Sequence, residues 1–263
     1  MRVEIGTRGV AYDDAGEGTP VLFVHGFPHH RKLWAPQLRA LAGRSRSIAL
    51  DLPGFGESDM PERFAIDAWA EGLVRFLDAL KIDRAVIAGL SMGGYIALAF
   101  WRLHRERARA LVLADTRAGA DTEEGKQKRR ETIELARREG PVAVARALLP
   151  GMVGKSTRER EPAVVATMRA MLESASVDSI LGASEAMMDR ADSTDLLPTL
   201  DVPTLIIVGD EDVLTPPKEA RAMHSAIRGS RLEIIPAAGH VSNIERPAAF
   251  NHVLTEFIDQ LSS

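Results

Sequence analysis

The chain has no cysteine. Disulfides, thiolate metal sites and cysteine nucleophiles are therefore excluded, and any covalent chemistry must rest on another side chain. It has no excess of positive charge either. Lys and Arg number 33 against 37 Asp and Glu, for a net charge of −4 with histidine neutral. No global basic field argues for a nucleic-acid partner. No run approaches the roughly 20 apolar residues that a membrane-spanning helix needs. The opening "MRVEIGTRGVAYDDAG" has no apolar core of signal-peptide length. The expectation is a cytoplasmic protein with neither a membrane nor a nucleic-acid partner. There is no internal repeat and no low-complexity segment. What is present is an ordinary globular composition, 45% hydrophobic and 27% charged over 263 residues. That length suits one large α/β domain, or one domain carrying an insertion.

Compact apolar runs recur in the first half: "VLFVHG" (21–26), "SIALD" (47–51), "RAVIAG" (84–89) and "RALVLAD" (109–115). Such runs suit strands buried on both faces of a parallel sheet. Between them "DAWAEGLVRFLDAL" (67–80) has apolar residues at helical spacing, with Asp67 as its expected N-cap. The alternation resumes with "PTLIIVG" (203–209) as strand, "PKEARAMHSAI" (217–227) as helix, "RLEIIP" (231–236) as strand and "RPAAFNHVLTEFIDQL" (246–261) as a closing helix. Strand–helix alternation predicts a doubly wound, mostly parallel α/β sheet. Segments near 2–5 and 9–14, separated by "GTRG", predict an antiparallel hairpin at one edge. Residues 117–197 contain no strand-like run and are expected to form a helical cap over the sheet's C-terminal edge. The core is then 1–116 plus 198–263. Within the cap, Glu124–Lys128 and Glu134–Arg138 have the spacing of stabilising helical pairs. The basic stretch Lys126 to Arg130 reads as a solvated face. Five of the nine methionines, Met152, Met168, Met171, Met187 and Met188, lie there. Core filling is their first reading, and an adaptable apolar pocket lining the second.

"AVIAGLSMGGYIALAF" (85–100) places Ser91 between a strand-like run and a helical one. A serine at a sharp strand-to-helix turn is presented at the sheet's edge. The turn is so tight that residues two before and two after nearly touch, which favours Gly89 and Gly93. "GLSMG" is thus a G-x-S-x-G elbow in its required strand–turn–helix context, and Ser91 is the candidate nucleophile. A serine hydroxyl needs a base and an orienting acid. Of seven histidines, His104, His224 and His252 fall in helical runs. His240, in the loop "PAAGHVSNIERP", leaves the last strand at the sheet edge that Ser91 occupies. It is the candidate base.

"IIVGDEDVLTPP" supplies three acids after a strand. Asp210 follows the strand most closely and suits turn bonding. Asp212, further out, suits a reach toward the imidazole. Asp115 at the end of "RALVLAD" is the rival acid. A metal site at Asp210, Glu211 and Asp212 lacks further ligands nearby, and no metal is expected. The second oxyanion donor belongs on the loop after an earlier strand. In "VLFVHGFPHH" (21–30), Gly26 lets the backbone approach, and the Phe27 amide joins the Met92 amide as the candidate pair. His25 reads as loop support. His29 and His30 are placed at the pocket mouth with an open role. "DLPGFGESD" (51–59) lacks the spacing and helix of a dinucleotide loop and reads as a structural turn.

Taken together, "HGFP", "DLPGFGES", "GLSMGG", "GDED…TPP" and "GHVSNIERP" resemble the α/β-hydrolase superfamily over nearly the whole chain. The resemblance implies an eight-stranded sheet, a helical cap and a Ser91–Asp212–His240 triad. It favours Asp212 over Asp115 because the acid matches the last aspartate of "GDED". Within the superfamily the chain resembles bacterial carboxylesterases with a small helical cap, and its "GHVSNIERPAAFN" segment resembles 3-oxoadipate enol-lactonases. Haloalkane dehalogenases and epoxide hydrolases of this fold carry aspartate at the elbow, so Ser91 argues against both.

The expected activity is cofactor-independent carboxylic ester hydrolysis of a small-molecule ester. Small uncharged short-chain esters are expected to be preferred, on the premise that the cap's inner face is methionine, leucine and alanine. Arg117 and Arg190 are the residues able to upset that premise. A lactone hydrolase is the alternative within the class. A ligand receptor with slow turnover is the alternative outside it. The sequence does not fix the oligomeric state.

Overall fold

A computed structural model describes residues 1–261. Its eight strands are β1 (Arg2–Ile5), β2 (Arg8–Ala15), β3 (Pro20–Val24), β4 (Arg46–Leu50), β5 (Ala85–Leu90), β6 (Ala108–Ala114), β7 (Thr204–Gly209) and β8 (Arg231–Ile235). They form one sheet in the order β1-β2-β4-β3-β5-β6-β7-β8. β1 and β2 form an antiparallel hairpin, and β2 pairs antiparallel with β4. Every other pairing is parallel. Every residue of β5 and β7 is buried, which is why these strands read as continuous apolar runs. β1, at the antiparallel edge, alternates exposed and half-buried positions.

Helices cover both faces. On one lie α2 (Ile66–Ala79), α3 (Met92–His104) and α8 (Pro217–Ala226). On the other lie α1 (Ala35–Ala40), α9 (Ser242–Glu245) and α10 (Pro247–Leu261). α2 presents Trp69, Leu73, Phe76 and Leu77 to the sheet, all buried. Removing each such side chain from water contributes about 1.5–3 kcal/mol. The helix begins at Ile66 behind Ala65, which makes no side-chain cap bond. Asp67 is therefore not the N-cap. It lies in the first turn, where a negative charge still suits the helix dipole, and it pairs with Arg102 at 2.6 Å on the surface.

Between β6 and β7 the chain makes α4 (Glu123–Met152), α5 (Lys155–Arg160), α6 (Pro162–Glu173) and α7 (Val177–Met188), with no strand. α4 breaks at Gly140, whose φ of 76° suits glycine. Pro141 then opens the second helical stretch, where its missing N–H costs nothing. Thr122 caps the first stretch, its hydroxyl accepting from Gly125 N–H at 3.2 Å. Glu124 pairs with Lys128 at 2.7 Å as the spacing predicts, whereas Arg138 pairs with the adjacent Glu139 rather than Glu134. α4 packs along α6 and α7. Because β3, β5, β6, β7 and β8 run parallel, the loops that follow them emerge at one sheet edge.

Candidate active site

At that edge β5 ends at Leu90 and α3 starts at Met92, leaving Ser91 alone at φ 55°, ψ −116°. A non-glycine residue held there stores roughly 1–3 kcal/mol of backbone strain. The surroundings over-determine it. Ser91 N–H donates to Ala114 C=O at 2.9 Å, and Thr116 Oγ1 donates to Ser91 C=O at 2.8 Å. A Cβ on Gly89 would collide with the Gly93 carbonyl, and one on Gly93 with the Val24 carbonyl. The glycines are there because backbone fills the space a side chain would occupy.

Ser91, Asp212 and His240 are brought together. Ser91 Oγ lies 2.8 Å from His240 Nε2, and His240 Nδ1 lies 2.8 Å from Asp212 Oδ2. Asp212 is held in turn by Thr215. The Thr215 hydroxyl donates to Oδ2 at 2.7 Å, and the Leu214 and Thr215 amides donate to Oδ1 at 2.8 and 3.0 Å. Burial opposes the charge on Asp212, but the facing imidazole and these donors outweigh it and lower its pKa. Burial likewise opposes charge on His240. The Asp212 carboxylate and its hydrogen bond outweigh that, and the His240 pKa lies above its ordinary value.

Asp115 is wholly buried one strand away. It accepts from Gly209 N–H at 2.9 Å and from the Ser242 hydroxyl and amide at 2.6 and 3.2 Å. It ties the end of β7 to the histidine loop. Burial and the nearby Asp212 charge raise its pKa well above its ordinary value. The other two acids also separate. Glu211 takes Ser156, its Oε1 accepting the hydroxyl at 2.5 Å and its Oε2 the amide at 2.7 Å. Asp210 points to solvent and makes no side-chain bond to either. Among the described residues no group of three His, Asp or Glu side chains is placed to hold a metal ion.

Glu245, Thr215 and Thr116 escaped the sequence reading. Glu245 accepts from the amides of Gly239 (2.8 Å) and Val241 (3.4 Å), on either side of His240, and of Gly154 (2.8 Å), in the turn after α4. His240 N–H donates to Met152 C=O at 3.1 Å. The histidine loop is therefore fastened to the end of α4. Only the position of Glu245 in "GHVSNIERP" hinted at this, and nothing in its residue type did.

The amides of Phe27 and Met92 have no intramolecular acceptor among the described residues. Met92 N–H is the first of its helix, where no preceding carbonyl is available. A Cβ on Gly26 would come within 3.1 Å of Leu90 C=O and Ser91 Cβ, so glycine lets the Phe27 loop lie close beside the serine. His25 supports this loop. Its Nδ1 donates to Gly26 C=O at 2.8 Å and its Nε2 accepts from Leu52 N–H at 3.0 Å. Burial lowers its pKa to about 4, consistent with the neutral ring those two bonds require. His29 and His30 are not at the pocket mouth. His29 is buried at 1% exposure, His30 caps the turn Arg31–Trp34, and neither lines the cavity at Ser91. "DLPGFGESD" is the structural turn expected. Asp51 accepts from the amides of Arg31 and Glu57 and pairs with the Arg31 guanidinium.

Ser91 and His240 open into a cavity of about 390 Å³ between sheet edge and cap. A larger one, about 550 Å³, lies between the N-terminal hairpin and α2 and contains none of these residues. The hydrogen-bonded Ser–His–Asp chain makes the smaller cavity the candidate site. Met152, Met187, Leu148 and Leu214 line it, and so do Arg117, Asp121 and Arg129. Met168 and Met171 fill the core instead. The wholly apolar lining expected from the sequence is thus corrected. Arg129 lies on the inward side of the "KQKRR" stretch because Asp121 draws it in.

The family model described as the alpha/beta hydrolase fold matches residues 19–247. The chain belongs to the α/β-hydrolase family. It is a hydrolase of that fold, with the eight-stranded sheet that the resemblance implied. A thermophilic esterase from Thermogutta terrifontis, solved with malate bound, is 39% identical with a TM-score of 0.96 and full coverage of both chains. The enol-lactonase from Burkholderia xenovorans is 30% identical with a TM-score of 0.90, covering 98% of this α/β-hydrolase and 99% of that chain. The 3-oxoadipate enol-lactonase 1 of Acinetobacter baylyi is 27% identical over 97% of this chain and 94% of its own. Among the described residues no helix is long and apolar enough to cross a membrane.

Proposed function

We propose that this α/β-hydrolase is a carboxylic ester hydrolase acting on small esters of short acyl chain. The observation that carries the reading is the unbroken hydrogen-bond chain from Ser91 Oγ through His240 to Asp212, beside two unpaired amides. Ser91 Oγ attacks the ester carbonyl as His240 Nε2 takes its proton. Asp212 holds the Nδ1–H tautomer and stabilises the imidazolium that forms. The Phe27 and Met92 amides receive the negative oxygen of the tetrahedral intermediate. His240 returns the proton to the leaving alcohol, and an acyl-serine remains. Water, deprotonated by the same imidazole, then releases the acid and restores Ser91. The steps need no cofactor.

A pocket of about 390 Å³ closed by the cap limits acyl length. Hydrolysis of alkyl esters from acetyl to dodecanoyl should peak between acetyl and hexanoyl and decline beyond. No measurable turnover anywhere in the series would remove the ester assignment. An undiminished rate at dodecanoyl would remove the length limit alone.

The pH dependence follows from the electrostatics of His240. The base must be neutral in the free enzyme, so kcat/KM rises with pH through the His240 pKa. That pKa is raised above the ordinary 6.5, so the midpoint of the rise should lie above 6.5. In Asp212→Asn the opposing carboxylate charge is gone while burial remains, and the midpoint should move to lower pH. A midpoint below 6 in the wild type, or an unmoved one in the variant, would contradict this account.

A further inference from the structure

Asp121 is the centre of an unusual charge arrangement. Its side chain is wholly buried. Arg117 reaches it at 2.5 Å from the segment after β6, Arg190 at 2.8 Å from the end of α7, and Arg129 pairs with it from α4. Three guanidiniums face this one buried carboxylate; the Asp192 charge also acts on Arg190, so one positive charge is left over, shared by the partly buried Arg117 and Arg129. Arg190 is 8% exposed, lies over the Tyr95 ring at 4.0 Å and donates to the carbonyls of Met187 and Gly119. Its Nε and that of Arg117 are buried without an acceptor. Arg117 and Arg129 turn toward the cavity that holds Ser91 and His240, whereas Arg190 sits behind them. The cavity's other charges are Lys128 and Glu124, which neutralise each other at 2.7 Å.

A staple between cap and core needs one carboxylate per guanidinium. A site for neutral esters gains nothing from partly buried cations that share one carboxylate, whose desolvation costs free energy. A second carboxylate delivered by the substrate would balance the cluster. Guanidiniums suit that role because their fork matches a carboxylate in two parallel hydrogen bonds. Resting on the ester-hydrolase reading, we propose that Arg117 and Arg129 form an anion subsite, with Arg190 and Asp121 positioning them. The substrate is then an ester whose acyl chain ends in a carboxylate, a half-ester of a short dicarboxylic acid. The remaining lining of Met152, Met187, Leu148 and Leu214 holds the methylenes between its two ends. An acidic lactone shares this chemistry. The cluster reverses the preference for uncharged esters expected from the sequence.

Matched pairs test it. Ethyl pentanoate and monoethyl glutarate differ by a methyl against a carboxylate at the chain end, as do γ-valerolactone and its 5-carboxy analogue among lactones. The wild type should favour the anionic member by about tenfold or more in kcat/KM, mainly through KM, as a charge-assisted contact made in both ground and transition states requires. Open-chain half-esters are assigned if the first pair gives the faster turnover, acidic lactones if the second does. In Arg129→Gln the ratio of anionic to neutral kcat/KM should fall by about 10- to 100-fold, and Arg117→Gln should lower it as well. Arg130→Gln, on the same helix but exposed and outside the cavity, should leave the ratio unchanged. Calorimetry adds a readout that needs no turnover: glutarate should bind more tightly than pentanoate, and Arg129→Gln should erase the difference. Turnover of both esters with no anionic preference and no glutarate preference overturns the subsite and leaves the esterase reading standing. Glutarate preference without turnover of any member overturns the esterase reading and upholds the subsite. A ratio unchanged in a folded Arg129→Gln protein, judged by its melting transition, overturns the subsite outright.

Discussion

Replacing Ser91 with alanine is expected to lower kcat for ester hydrolysis by roughly ten-thousand- to million-fold. The variant keeps His240 and Asp212 but has no oxygen to attack the carbonyl. The loss appears in kcat because the pocket and the Phe27 and Met92 amides still bind ester. The fold should survive. Only the Oγ is removed, and its hydrogen-bond partner among the described residues is His240 Nε2. The bonds that hold the elbow use the backbone of residue 91, which alanine retains. Alanine also bears the same φ of 55° with the same Cβ, so the strain is carried over rather than increased. The melting temperature should therefore change by only a few degrees. A serine-reactive phosphonate should add one equivalent to the wild type, located at Ser91 by peptide mapping, and none to the variant. Turnover near the wild-type rate in Ser91→Ala would end the proposed mechanism.

Sequence and structure agree where physics is local or two-faced. β5 and β7 lie between helix layers and have no solvent side to encode, so their apolar runs were recognisable. "GLSMG" was legible because the turn it makes leaves no room for a Cβ at Gly89 or Gly93. The pairing of Asp212 rather than Asp115 with His240 was not fixed by the residues alone. Both aspartates end up buried at the same sheet edge, and only the direction in which Thr215 and the Leu214 amide hold Asp212 separates them. The cap was least legible. Its helices were recognisable by composition, but which face of "KQKRR" turns inward depends on how α4 lies on α7 and on a carboxylate, Asp121, that arrives from the preceding loop. No periodicity within α4 carries that information. His29 shows the same limit. Its sequence context placed it at the pocket mouth, yet it is buried at 1% exposure.

Asp212→Asn is expected to cost about ten-thousand-fold in kcat, and Asp115→Asn about tenfold at most. The first substitution conserves size but removes the charge that stabilises imidazolium. An amide can also offer its NH2 group to Nδ1, which then accepts, leaves the proton on Nε2 and blocks the removal of the Ser91 proton. Thr215 stands 3.2 Å from Nδ1, so its hydroxyl remains nearby but carries no charge to replace the lost one. Asp115 differs in kind. It makes no hydrogen bond to His240 and acts on it only through space, while burial beside Asp212 raises its own pKa. Its charge acts on the imidazole less than that of Asp212, so its loss changes the field there less. Asparagine keeps one carbonyl for Gly209 N–H but cannot accept from both Ser242 donors with its nitrogen. That variant should lose about 1–3 kcal/mol of stability for a buried donor left unmatched, with most of its turnover retained in the folded fraction. Kinetics and denaturant unfolding on both proteins therefore separate a charge that acts on the reaction from a carboxyl that holds β7 to the histidine loop. A large kcat loss in Asp115→Asn with near-normal turnover in Asp212→Asn would transfer the role of the acid to β6.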